Sequence, residues 1–106
     1  MARVLVELEY EAYEPMARKE LQELVERARS KWNLKHVAIA HRIGIVPILE
    51  PSVIIAVSSA HRKDSLEACA WAIDELKAAV PIWKKELYEG GEIWKENAEN
   101  RDQVKA

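Results

Sequence analysis

A chain of 106 residues has room for one domain with one modest core. Apolar residues make up 49% and charged residues 32%, a balance that folds rather than stays disordered. Sixteen basic against eighteen acidic side chains leave a net charge of −2, which argues against a general nucleic-acid binder.

The first stretch, "RVLVELEYEAY", alternates. Val4, Val6, Leu8 and Tyr10 point one way and Glu7, Glu9 and Glu11 the other, which predicts a strand with one buried face. "EPMARKELQELVERARSKW" follows, with Pro15 near a helix start and Met16, Leu21, Leu24, Val25 and Ala28 on one side, so an amphipathic helix is expected. "KHVAIAHRIG" and "SVIIAVSSA" are β-rich, and the prolines of the intervening "IVPILEP" make a connection or an irregular edge. "VIIAV" is apolar throughout, which predicts a central strand covered on both faces. Asp64 and Glu67 resemble a capping box and start a second helix at Ser65, ended by Pro81. "IWKKELYEGGEIWKE" reads as two short strands turning at Gly90-Gly91. The order is that of an α/β (α+β) fold: a ferredoxin-like β-α-β-β-α-β antiparallel sheet, both helices on one face, plus a C-terminal hairpin. Residues 1–95 are expected to form this single domain, with a polar tail over 96–106.

The single cysteine, Cys69, rules out an internal disulfide and fits a reducing, cytoplasmic setting. No apolar run approaches the roughly 20 residues of a membrane span, so no membrane partner is expected. His36, His41 and His61 are scattered and form no metal-binding spacing. Two features carry charge where chemistry can use it. In "SSAHRKDSLE", His61 and Arg62 precede a helix N-terminus, whose free N–H groups and dipole favour an anion. The plainer reading, Arg62 paired with a surface carboxylate and His61 filling a loop, stands beside it. On the second helix Leu66, Cys69, Ala70, Ile73, Leu76 and Val80 form the expected buried stripe, and Lys77 falls only about 20° from Leu66. A lysine there must snorkel, pair with an anion or lose charge. Trp71 lies off the stripe and suggests a second packing surface, such as a subunit interface. In the extended "IWKKELY", Ile82, Lys84, Glu86 and Tyr88 share one face and Trp83, Lys85 and Leu87 the other. Residue patterns thus reach an anion pocket or a lysine-protected sheet edge, and no further.

The stretches "LEYEAYEPMA", "HRIG", "SSAHR", "LK" and "PIWKKE", in this order and spacing, resemble the large, catalytic subunit family of molybdopterin synthase across nearly the whole chain. The resemblance implies sulfur transfer from the C-terminal glycine thiocarboxylate of a small ubiquitin-like partner to cyclic pyranopterin monophosphate, in molybdenum cofactor biosynthesis. It implies that Lys77 and Lys84 are catalytic and that His61, Arg62, Lys77, Lys84, Lys85 and Glu86 bind the substrate. No cofactor is expected. Starting the helix at Ser65 sets Lys77 about 18 Å from its N-terminus. One small pterin spans that poorly, so a homodimer with composite sites is expected at the core of a heterotetramer. The alternative is a non-catalytic ferredoxin-like interaction and dimerisation module. It arises because the arginine-bearing segment that such proteins carry ahead of the "LEYEAY" strand is not seen here.

Overall fold

The computed structural model describes residues 4–96. The elements run β1 (Leu5–Ala12), α1 (Glu14–Lys31), β2 (Leu34–His41), β3 (Gly44–Pro47), β4 (Val53–Ser59), α2 (Arg62–Ala79), β5 (Ile82–Tyr88) and β6 (Gly91–Glu96). The polar tail expected from 96 onward lies outside the described residues, apart from Glu96 at its start.

This is a mixed α/β fold with two helices and antiparallel strand pairing throughout. The hydrogen-bonded ladder is divided, however: β3-β1-β5-β6 form one sheet and β2-β4 another. The division has a local cause. Gly44–Pro47, which begins on the last residue of "KHVAIAHRIG" and continues into "IVPILEP", runs along β1 and pairs Val46 with Leu8, so β1 has β5 on one side and β3 on the other. With both edges of β1 occupied, β4 pairs only with β2. Pro47 closes β3 at the rim of the sheet, where a missing N–H costs least.

Along β1 the alternation holds from Leu8 onward. Leu8, Tyr10 and Ala12 stand opposite Glu86, Lys84 and Ile82, and Tyr10, Ala12 and Ile82 belong to the core. A bulge between Leu5 and Glu7 reverses the face upstream, so Val4 and Val6, expected inside, are exposed. The apolar "VIIAV" run of β4 is likewise covered on one face only: Val53 and Ile55 pack on the core, whereas Ile54 is 58% exposed.

Helix α1 carries Pro15 in its first turn and Arg29 and Lys31 in its last, as the helix dipole favours. Ala17, Leu24 and Ala28 form its buried row, whereas Met16, expected on that side, is exposed. Helix α2 begins at Arg62, three residues before the expected Ser65, with His61 at the N-cap. The capping box does not form; instead the Ser65 N–H donates to the hydroxyl of Ser59, at 3.0 Å. The buried row of α2 is Ala68, Ala72 and Leu76. It is turned by about 90° from the expected stripe, and Leu66 is 66% exposed. The alanines decide this: small side chains at 68 and 72 let α2 lie close against α1 and β4, which larger residues would hold apart. The core joins both helices to the sheets through Leu24, Leu76, Val80 and Ile82.

Candidate active site

The rotation of α2 moves Lys77. It lies in the last helical turn on the exposed side, so the placement inside the apolar arc expected from the sequence pattern is not what the single chain presents. The corner that follows is tight. The Val80 N–H donates to Leu76 O at 3.1 Å and the Ile82 N–H to Val80 O at 3.0 Å, turning the chain through Pro81 directly into β5.

On β5 the expected alternation holds. Lys84 is half-buried on the face of Ile82, opposite Tyr10, and Glu86 is on the same face opposite Leu8. Lys85 points the other way, where its Nζ lies 3.2 Å from Glu9 Oε1. Lys77 thus lies in the last turn of α2 and Lys84 on β5, before and after the corner in the chain, and Lys85 is engaged on the opposite face of the sheet. Two cations carried on either side of this turn suit anionic reactants.

His61 and Arg62 stand at the other end of α2, exposed, beside an open depression lined by Ser58, Ser59, Lys63 and Ser65. Ser59 is central there: its hydroxyl donates to His61 O and accepts the Ser65 N–H. The Asp64 and Ser65 N–H groups are taken by His61 O and the Ser59 hydroxyl, so it is the helix dipole and the side chains of Arg62 and Lys63 that favour an anion at this end. From Arg62 to Lys77 is fifteen residues of helix, or about 22 Å. A single chain does not bring the two cationic groups together.

Sequence patterns gave no warning of a cleft of about 330 Å³ between α1 and the end of β2, lined by Glu14, Arg18, Leu21, Ile39, His41 and Ile82. His41 packs edge-on to Tyr10, ring centroids 5.0 Å apart. Its Nδ1–H donates to the Arg42 carbonyl at 2.7 Å, leaving Nε2 as the acceptor of a neutral ring. Burial lowers its affinity for a proton, partly opposed by that hydrogen bond. The only signal for this was the histidine of "HRIG", at the end of an alternating strand. Trp71, a candidate interface residue by sequence, is occupied within the chain. It packs on Trp32 at 5.6 Å between centroids, with Arg27 and Lys31 over its ring. Among the described residues no cluster of three His, Cys, Asp or Glu side chains can hold a metal ion, and no helix is long and apolar enough to cross a membrane.

The family model of the MoaE protein matches residues 2–79. This chain belongs to the MoaE family. Among similar proteins, the molybdopterin synthase catalytic subunit of Arabidopsis thaliana is 59% identical over 97 residues, covering 92% of this chain and 49% of the relative. That of Homo sapiens is 58% identical over 95 residues, covering 90% of this chain and 50% of the relative. The crystal structure of molybdopterin synthase from Staphylococcus aureus superposes with a TM-score of 0.83 at 47% identity, over 86% of this chain and 66% of that one. The MoaE protein of Burkholderia ambifaria superposes with a TM-score of 0.76 at 33% identity, over 91% of this chain and 67% of that one. The MoaE-family chain described here thus spans about half the length of the curated relatives it matches.

Proposed function

We propose that this chain acts as the catalytic, large subunit of a molybdopterin synthase. Sulfur passes from the C-terminal thiocarboxylate of a small ubiquitin-like partner to cyclic pyranopterin monophosphate, building the dithiolene of molybdopterin. The observation that carries this reading is the pair Lys77 and Lys84 on either side of the α2–β5 turn in a MoaE-family chain. Both reactants are anionic, and fixed cations attract them and stabilise charge that develops as the acyl group is attacked. Glu86 shares the Lys84 face and is assigned to the substrate site, whereas Lys85 lies on the other face of the strand, paired with Glu9. A reducing, cytoplasmic compartment suits the lone Cys69 thiol.

We further infer a homodimer with a small partner at each outer end. Two observations support it. His61 and Arg62 are too far from Lys77 to share one pterin within a chain, so a two-fold axis is the economical way to bring them together. The outer face of β2-β4 exposes Ala38, Ala40, Ile54 and Ala56, an apolar patch suited to a second copy. The decisive assay mixes purified chain, thiocarboxylated partner and pterin, and follows molybdopterin. Lys77→Ala should abolish product while stability changes by no more than about 0.5 kcal/mol, because the side chain is exposed. Partner binding without product from the unaltered chain would replace this reading with that of an interaction module.

A further inference from the structure

Only Ala60 and His61 separate the end of β4 from the start of α2. A helix opened so abruptly needs partners for its first N–H groups, and the N-cap side chain usually supplies one. His61 occupies the N-cap, yet its side chain makes no capping hydrogen bond. Ser59, the last residue of β4, takes over that duty. Its hydroxyl accepts the Ser65 N–H at 3.0 Å and donates its own proton to the His61 carbonyl.

In a regular α-helix the Ser65 N–H would go directly to the carbonyl four residues back, which is that of His61. Here the Ser59 oxygen stands between the two, and the His61 carbonyl also takes the Asp64 N–H at 3.2 Å. The first turn is therefore held in the i→i+3 form, with a hydroxyl from the sheet set into the place of the i→i+4 bond. Position 61, relieved of capping, is free to carry an imidazole, which lies outside the usual capping set. The planar peptide that joins His61 to Arg62 is tied at its oxygen to β4, so the bases of both side chains are fixed relative to the sheet. Without the hydroxyl the Ser65 N–H can reach the His61 carbonyl only if the turn closes and that peptide rotates. The Ser59 proton is committed to the carbonyl, so the hydroxyl has no donor left for an anion. We propose that Ser59 is a positioning residue for His61 and Arg62, acting through the His61 carbonyl. This rests on the reading of His61 and Arg62 as groups that bind the pterin monophosphate.

Ser59→Thr keeps the hydroxyl and Ser59→Val, of the same shape, removes it, so the pair separates hydrogen bonding from volume. Ser59→Ala removes the hydroxyl and adds no bulk. Each full-length variant is titrated with cyclic pyranopterin monophosphate in the absence of the small partner, and then assayed for molybdopterin formation with it. Ser59→Val and Ser59→Ala should weaken the pterin Kd by about tenfold and raise KM by the same factor. Their kcat should stay within about twofold of the original, because binding and not the chemical step is lost. Ser59→Thr should keep both constants within about twofold of the original. An unchanged Kd in Ser59→Val and Ser59→Ala overturns the proposal. So does a threonine variant as weak as the valine one, or a loss of binding that merely follows the folded fraction measured by circular dichroism. His61→Ala and Arg62→Ala separate the two ideas. Full pterin affinity in both removes the reading of these residues as substrate groups, whereas weakened binding there beside normal binding in Ser59→Val and Ser59→Ala removes only the positioning role.

Discussion

Complementation between inactive subunits tests the composite site most directly. Arg62 and Lys77 are separated by fifteen residues of continuous helix, about 22 Å, a distance that no rearrangement short of breaking α2 can close. If each site takes Arg62 from one subunit and Lys77 from the other, Lys77→Ala and Arg62→Ala homodimers are both inactive. A mixed dimer has one site lacking both groups and one site with both intact. Random exchange makes about half of all dimers mixed, so activity recovers to about a quarter of the unaltered level. The assay mixes the two proteins in equal amounts, confirms exchange by native mass spectrometry and then measures molybdopterin formation. Sites built within one chain would each keep one defect after mixing. Activity that stays at the level of the separate variants, with exchange complete, refutes the reasoning.

Ile54→Arg places a charge on the bare face of β2-β4 and leaves the core untouched, so sedimentation should report a monomer with an unchanged circular dichroism spectrum and lost turnover. His41 gives a pH signature. Burial holds its folded pKa below the ordinary 6.5, so the unfolded chain takes up the proton first as pH falls. Its contribution to stability is complete above that value and declines as pH drops from there through the folded pKa. A series of melting temperatures between about pH 7.5 and 5 should therefore slope downwards, and His41→Gln should flatten the slope. An identical slope in both proteins would assign the effect to other groups.

The alternation of "LEYEAY" and "IWKKELY" was sufficient to place Lys84 and Glu86 on one strand face and Lys85 on the other, because a period of two is a property of the extended backbone itself. The order of helices and strands, the Gly90 turn and the motif set that marks the family were legible for the same local reason. What the sequence could not decide was how elements sit against one another. The α2 stripe was misplaced by about 90° because apolar periodicity weights Leu66 and Ile73 for their size, whereas packing chose Ala68 and Ala72 for closeness to α1. That choice exposes Lys77. Val4 and Val6 were turned outward by a bulge that no composition signals, and the sheet was divided by a four-residue strand, β3, lying along β1. Trp71, off the expected stripe, packs within the chain on Trp32, which comes from the end of the other helix. Local periodicity belongs to the backbone and is written in each segment. Which face is buried depends on a neighbour far away in the chain, so only the tertiary structure determined it.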